Sequence, residues 1–333
     1  MMKTTPVPLL VLCCFLLVSS FPMNSFAQPG KNGAYTVSLP GEILNKYAMV
    51  SNTIAAGSNT ILSAGGPGFS ICHGDLLMVY QAQGASFDNG TSASYGAILN
   101  YGSAGLYEFV YVLSVIGNTK TTETPFVNAY THTKSLQLIK VPQYTSLTIN
   151  SGASLVSKAW KDTSIASVAY RFGGLVVIHA NSIVNNGLIS VNGQGFRGGA
   201  LFMNSGIIYG VSSFRSNLST QGGEKGEGIG GYQSDYDLNN GRYCMGAPAN
   251  GGGGGNGHNA GGGGGANANN GNTWSGQGVM VVDPSNLLGA WSLSAGYAAN
   301  GNALTNSSGG GHGGYSYGDA NANAVTQGPG HAA

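Results

Sequence analysis

Short apolar segments, separated by glycine, asparagine and serine, recur along the chain, and most of them have the length of a β-strand. The clearest alternation is at 107–116. One face of that segment is expected to carry Tyr107, Phe109, Tyr111, Leu113 and Val115. Because aromatic and β-branched residues favour strands, the pattern predicts a strand that ends in a turn at Gly117 and Asn118. Similar short strands between residues 34 and 144 predict a small antiparallel β-barrel or sandwich.

Residues 145–199 show a different pattern, in which brief apolar runs are bounded by asparagine or glycine. The runs lie at 146–152, 174–180 and 186–193. Asparagine and glycine tolerate the left-handed backbone that tight corners require, and stacked coils bury a continuous core between neighbours. The pattern favours rungs of a parallel β-helix, and an ordinary antiparallel sheet is the alternative.

Glycine dominates residues 200–333 and is densest at 251–265. A helix there would cost roughly 1 kcal/mol per glycine relative to alanine. Apolar and aromatic islands such as 201–203 and Tyr232 interrupt the region, which is atypical of a linker. Extended glycine strands, as in a polyglycine helix related to polyproline II, can satisfy one another's backbone groups when they lie side by side. We therefore expect partial order, and a disordered tether is the alternative.

The N-terminus has the three parts of an export signal. Lys3 supplies positive charge, residues 8–18 form an apolar core, and Ser25 and Ala27 are the small residues of a cleavage site. The apolar run is shorter than the about 20 residues that a membrane span needs. We therefore expect cleavage after Ala27, no transmembrane span in the mature chain, and a secreted or outer-cell-surface protein.

These patterns predict an all-β chain with four regions. They are a signal peptide at 1–27, a β-rich N-terminal domain at 28–144, β-helix-like rungs at 145–199 and a glycine-rich region at 200–333. Because the last residues, 327–333, are typical of a loop and form no closing strand, we expect the natural protein to continue beyond them.

Charge is sparse throughout the chain. Charged residues make up 8% of it and the net charge is +1, whereas about 25% is typical of globular proteins. The sequence has no basic stripe, so nucleic acid is not an expected partner. Asparagine, serine, threonine and glycine supply the polar character instead, which suits an extracellular β-rich repeat protein.

Few residues suggest chemistry. Asp235 and Asp237 form a close acidic pair and are a candidate calcium site, with solvated loop charges as the alternative. None of the six histidines has metal-ligand spacing. Residues 193–198 match a dinucleotide-binding glycine pattern, but more glycine follows where that site needs a helix. We therefore expect no catalytic residue and no cofactor.

Two cysteines, Cys72 and Cys244, remain after signal cleavage. In an exported protein such a pair is a candidate disulfide. Separation along the sequence does not determine whether two cysteines can approach each other. Two unpaired or buried thiols are the alternative.

Seven segments occur in an order that marks a family resemblance. They are 74–85, 94–96, 105–109, 141–144, 192–199, 246–250 and 309–324, and the resemblance that they mark extends over most of residues 58–333. In this order they resemble the N-terminal part of very large secreted proteins of Bacteroidota. Such proteins resemble cell-surface adhesins, often exported by type IX secretion through a C-terminal sorting domain that this chain lacks. The sequence departs from the family at 119–122, which is more polar than the strand expected there.

Three functions remain open. The leading one is a non-enzymatic, adhesin-like surface protein whose exposed tyrosine, tryptophan and asparagine side chains contact polysaccharide or another surface glycan. The second is a polysaccharide lyase or hydrolase on a β-helix, and the third is a passive structural stalk. The enzyme needs ionisable groups clustered on one face. The charged residues of the rung region, by contrast, are dispersed: Lys158, Lys161, Asp162, Arg171 and Arg197.

Overall fold

The computed structural model describes residues 30–63, 69–91, 95–165, 168–200, 214–244 and 246–254. The predicted signal peptide and residues 255–333 lie outside the described part of the chain. Strands dominate what is described, and the only helices there are one short α-helix and one 3-10 helix. The predicted all-β class is confirmed.

The strands are short, as their bounded apolar runs predict. In chain order they are β1 (Ala34–Val37), β2 (Lys46–Met49), β3 (Thr60–Leu62), β4 (Leu76–Gln81), β5 (Ser86–Phe87), β6 (Ile98–Asn100), β7 (Tyr107–Ile116), β8 (Thr119–Thr122), β9 (Leu136–Val141), β10 (Gln143–Tyr144), β11 (Ser146–Ile149), β12 (Ser154–Val156), β13 (Lys161–Ile165), β14 (Val168–Phe172), β15 (His179–Ala180), β16 (Ile183–Asn185) and β17 (Leu188–Ser190). The 3-10 helix spans Ser219–Gln221, and α1 spans Ser234–Asp237.

Parallel strands stack into three β-helix-like coils. Strand β11 pairs with β1 on one side and with β16 on the other, while β10 pairs with β15 and β12 with β17. Leu147, Ile149 and Leu155 point into this stack and are buried. The prediction of parallel rungs is therefore confirmed, because apolar residues of successive coils cover one another.

The first coil of the stack precedes the antiparallel sheet in the sequence. The Asn32 N–H donates to the Gln143 carbonyl over 2.7 Å, and Glu42 forms a parallel bridge with Leu155. The antiparallel sheet is thus inserted between the first and second coils, and the β13–β14 hairpin between the second and third. The stack therefore begins well before the boundary predicted at residue 145, because β1 finds its partner more than a hundred residues later in the chain.

Six antiparallel strands form the inserted sheet, in the order β2-β9-β4-β7-β8-β3. One face buries a core that includes Ile61, Leu77 and Leu138. The opposite face packs Met78 and Ile139, among others, against residues that follow the β13–β14 hairpin. The predicted antiparallel element is confirmed as a curled half-barrel sheet.

The polar segment at 119–122 is a strand despite its composition. The Thr122 hydroxyl donates to the Thr124 carbonyl over 2.7 Å. The Lys120 ammonium donates to the carbonyl groups of Ser63 and Asn118, each over 3.1 Å. Because these bonds satisfy the polar groups, β8 can bury them and still pair with β7.

Residues 222–244 and 246–254 form a layer in which backbone contacts backbone, called the glycine layer below. The Gly226 N–H donates to the Gly252 carbonyl over 2.7 Å, and the Gly254 N–H donates to the Cys244 carbonyl over 3.0 Å. A Cβ atom on Gly254 would overlap the Gly223 carbonyl. Only glycine permits this approach. The arrangement of side-by-side glycine strands expected at 251–265 falls mostly on residues outside the described part and stays a prediction.

Long polar side chains fill the spaces that the glycines leave. The buried Lys225 ammonium donates to the carbonyl oxygens of Phe214 over 2.5 Å and Cys244 over 3.0 Å. The Tyr236 hydroxyl donates to the carbonyl of Gly231 over 2.6 Å. Burial lowers the pKa of Lys225 and raises the pKa of Tyr236. These side-chain donors add to the backbone hydrogen bonds that the same carbonyls accept from Gly246, Gly254 and Gly228.

Candidate functional site

Aromatic side chains line one face of β7 and extend to β4. Tyr107 and Phe109 are 56% and 50% exposed, and their ring centroids lie 6.0 Å apart with the rings nearly perpendicular. Tyr80 on β4 is the cross-strand partner of Tyr107. Tyr111 follows Phe109 at the next position of the same face. These four residues, Tyr80, Tyr107, Phe109 and Tyr111, are the aromatic platform below.

In the described part of the chain, the apolar cluster on this sheet face includes residues of β2, β4 and β9, and Tyr107 and Phe109 of β7 lie outside it. Phe172 at the end of the hairpin stacks on Tyr47 of β2, with centroids 6.3 Å apart, and belongs to the same apolar cluster as Ile139. Tyr80 and Tyr111 pack at the border of that cluster, whereas Tyr107 and Phe109 lie among the exposed large apolar side chains. Clustered exposed apolar side chains of this kind typically mark a contact surface.

The Glu108 side chain points to the sheet face opposite the aromatic platform, where it binds the segment 127–130. Its carboxylate accepts the N–H groups of Val127 and Asn128 over 2.8 and 2.7 Å and the hydroxyl of Tyr130 over 3.0 Å. Burial alone would raise the pKa of Glu108, but these hydrogen bonds outweigh it and hold the pKa below its ordinary value. β7, the strand that carries most of the aromatic platform, is therefore held by its pairing with β4 and by the hydrogen bonds between Glu108 and this segment.

The alternation predicted for β7 is wrong at Val115, the last residue that it assigned to the aromatic face. The register shifts between Val112 and Ser114, where the strand forms a β-bulge. Val112 pairs with Thr122 and Val115 pairs with Lys120. Because cross-strand partners share a face and alternate residues of a strand share a face, Val115 lies on the Val112 side. The expectation that Val115 joins the aromatic face is wrong for this reason.

Ionisable side chains and one amide from four parts of the chain meet in a cluster, called the ionic junction below. The Glu227 carboxylate is fully buried and accepts two hydrogen bonds from Arg197, Nε to Oε2 over 2.7 Å and Nη2 to Oε1 over 3.2 Å. Arg171 lies 3.8 Å from Glu227 and 3.1 Å from Asp235. The Gln83 amide donates to Glu227 over 3.1 Å. Sequence spacing did not reveal this cluster, because its members are far apart in the chain.

The ionic junction is arranged to hold segments together. Its carboxylates face guanidinium groups, and the Tyr232 ring lies 4.3 Å from the Arg197 guanidinium carbon. Arg171 and Arg197, which seemed dispersed in the sequence, are therefore brought together. Since the Glu227 side chain has no exposed surface, it cannot contact a polymer bound at the surface.

The candidate calcium ligands are not brought together. Asp235 accepts the Tyr232 N–H over 3.0 Å and lies 3.5 Å from the Lys134 ammonium. Asp237 forms an ion pair with Arg242. Positions two apart on a helix do not face each other. The two carboxylates therefore form ion pairs with different cations. Within the described ranges, no group of three or more His, Cys, Asp or Glu side chains could hold a metal ion.

The candidate disulfide is not formed in the structure. Cys72 is exposed and its N–H donates to Asp75 over 2.8 Å, just before β4. Cys244 is buried in the glycine layer, where burial raises the thiol pKa to about 11. The glycine layer contacts the chain beyond the other end of β4, where the Gly84 N–H donates to the Ile229 carbonyl.

No protein-family model matches this chain, and no curated protein sequence matches it. Three solved phage tailspikes show a partial likeness. The Gp54 tailspike of Acinetobacter baumannii bacteriophage AP22, solved with A. baumannii capsular saccharide, is 18% identical over 46% of this chain and 23% of its own, with a TM-score of 0.23.

The other two tailspikes come from Pseudomonas phages. The gp49 tailspike of phage LKA1 is 18% identical over 37% of this chain and 22% of its own, with a TM-score of 0.19. The gp61 tailspike of phage phi297 is 14% identical over 49% of this chain and 25% of its own, with a TM-score of 0.23. The chain thus spans a quarter or less of these tailspikes, and likeness at these TM-scores does not establish a shared activity.

Helices are few and short in the described ranges. No helix in them has both the length and the apolar character needed to cross a bilayer.

Proposed function

We propose that this protein is an exported, secreted or cell-surface, adhesin-like protein that contacts glycans through the aromatic platform and catalyses no reaction. The observation that carries the proposal is the exposure of Tyr107 and Phe109 on one face of a well-anchored strand. Aromatic rings pack on the apolar faces of sugar rings, and a tyrosine hydroxyl adds a hydrogen-bonding group at the rim. The predicted export signal and the low content of charge support the same proposal.

The order of motifs that resembles large secreted proteins of Bacteroidota, the type IX secretion class, also supports an adhesin-like role. A polysaccharide-active enzyme would need an acid or base that reaches its substrate. Glu227, the carboxylate at the centre of the ionic junction, is fully buried and paired with Arg197. A passive stalk would need no exposed aromatic side chains, so the aromatic platform favours a contact role over a purely structural one.

A glycan array probed with the mature chain, residues 28–333, tests the proposal. We expect binding to at least one polysaccharide and no release of reducing ends or unsaturated products from it. A variant with Tyr107→Ala and Phe109→Ala should lose that binding while it keeps the circular dichroism of the parent. Turnover of a polysaccharide, or binding that the double substitution leaves intact, would overturn the proposal.

A further inference from the structure

We propose that the aromatic platform accepts an uncharged polysaccharide chain and discriminates against an acidic one. This inference rests on the proposed function and names the class of ligand for the same surface. It follows from the charge of the side chains on and beside the aromatic platform.

Among the described residues of β4 and β7, the side chains on the face that a ligand would contact include no ionisable group other than tyrosine. The β4 residues opposite Tyr107, Phe109 and Tyr111 are Tyr80, Met78 and Leu76. From Tyr107 to Tyr111 the strand advances by about 13 Å, at ~3.3 Å per residue. The surface is therefore apolar, aromatic and elongated, and it suits a segment of a linear chain.

A carboxylate lies at one end of the aromatic platform. The Glu123 N–H donates to the Tyr111 carbonyl over 2.9 Å, which places Glu123 directly beside the last aromatic residue. Burial and the charge of Glu123 both raise the pKa of Tyr111. A uronate or sulfate group placed next to Tyr111 would therefore meet a negative charge.

Four cations around this sheet already interact within the protein. One of them, Lys158, lies over the Phe172 ring, 4.5 Å from its centroid. Lys140, on the strand beside β4, lies 2.6 Å from the Asp75 carboxylate. Lys120 on β8 is buried, and its ammonium donates to three backbone carbonyls. Lys134 lies beside Asp235. Because recognition of an anionic polymer needs cations at the contact surface, these pairings leave the aromatic platform suited to an uncharged ligand.

Matched polysaccharides that differ only in charge test this inference. Affinity electrophoresis or calorimetry would compare alginate, polygalacturonate and hyaluronan with their carboxyl-reduced forms, using the mature chain. For any pair that binds, we expect the carboxyl-reduced form to bind about tenfold or more tightly than the acidic form at low salt. The difference should shrink at high salt, because salt screens exposed charges.

Glu123→Gln and Glu123→Lys are the informative variants, and both should keep the parent's thermal transition. Each variant should reduce the difference in affinity between the acidic and the carboxyl-reduced polysaccharide, and Glu123→Lys should reduce it further than Glu123→Gln. If the acidic polysaccharide binds as tightly as the carboxyl-reduced one and Tyr107→Ala abolishes the binding of both, the inference is overturned and the proposed function stands. If neither these polysaccharides nor any neutral glycan on the array binds, or if Tyr107→Ala has no effect, the proposed function is overturned and the inference with it.

Discussion

Glu227 and Arg197 form a bidentate ion pair with nitrogen-to-oxygen distances of 2.7 and 3.2 Å, and the Glu227 carboxylate has no exposed surface. Arg197 follows the third coil of the parallel stack, and Glu227 belongs to the glycine layer. The Glu227 N–H also donates to the Arg197 carbonyl over 2.8 Å. The glycine layer, which has few side chains to pack, is therefore attached to the stack by a charged pair and by backbone bonds.

Removal of the Glu227 carboxylate should destabilise the fold. Glu227→Ala leaves the guanidinium groups of Arg171 and Arg197 without their buried partner, and we expect a loss of about 3–5 kcal/mol in the free energy of unfolding. The matched control is Asp237→Ala, which removes a partly exposed pair with Arg242 and should cost about 0–1 kcal/mol. Urea unfolding measures both, and equal losses would contradict this account of the ionic junction.

Two adjacent glycines should respond differently to alanine. A Cβ on Gly199 would overlap the Glu224 carbonyl, whereas a Cβ on Gly198 meets nothing within 4 Å. We expect Gly199→Ala to cost about 1–3 kcal/mol through overpacking, and Gly198→Ala to be neutral or slightly stabilising. Thermal unfolding of the two variants is the measurement. Similar midpoints would show that residue 199 does not pack against the glycine layer.

Acid should weaken the contact between the first coil and the antiparallel sheet. Asp75 lies 2.6 Å from both Lys31 and Lys140. Burial alone would raise the pKa of Asp75, but hydrogen bonds from Lys140 and Lys31 outweigh it and hold the pKa below its ordinary value. A carboxyl with a depressed folded-state pKa stabilises the fold above its unfolded pKa, about 3.9. That contribution is lost as the pH falls through the folded-state pKa.

The variant Asp75→Asn makes this pH dependence measurable. At pH 7 we expect it to lower the free energy of unfolding by about 1–3 kcal/mol, because two lysines lose a hydrogen-bonded charge. Below pH 4 the difference between the parent and the variant should shrink. A difference that stays constant from pH 7 to pH 2 would mean that Asp75 is not stabilised as an anion.

The two cysteines should differ in reactivity. Cys72 is exposed, whereas Cys244 is buried and its thiol pKa is raised to about 11. Because the thiolate is the reactive form, a thiol reagent at pH 8 should label one site per native mature chain and a second site only after denaturation. Mass spectrometry identifies the labelled residues. If neither cysteine reacts in denaturant until a reductant is added, the two form the disulfide that the structure lacks.

Local patterns in the sequence predicted several of the strands correctly. The alternation at 107–116 predicted β7, because a strand with one exposed and one buried face needs period-two side chains. The asparagine-bounded runs predicted coils of the parallel stack, because tight corners favour those residues. The exposed pair Tyr107 and Phe109 was already assigned to one face, so the central part of the aromatic platform could be predicted from sequence.

Long-range pairing could not be predicted in the same way. Strand β1 stacks on β11 across the whole inserted sheet, and nothing within β1 specifies so distant a partner. The ionic junction draws Gln83, Arg171 and Glu227 from separate regions, so their local sequence shows only isolated polar residues. The β-bulge after Val112 depends on the pairing with β8, and for this reason the alternation at Val115 failed.

Isothermal titration of the mature chain with a polysaccharide selected on the array is the most direct measurement of the central claim. The parent, the Tyr107→Ala/Phe109→Ala variant and the Leu238→Ala control, which removes an exposed apolar side chain outside the aromatic platform, would be titrated side by side. We predict an affinity about tenfold or more weaker for the double variant, ~1.4 kcal/mol, and no change for the control. Equal affinities for all three proteins would contradict the assignment of glycan contact to the face of β7.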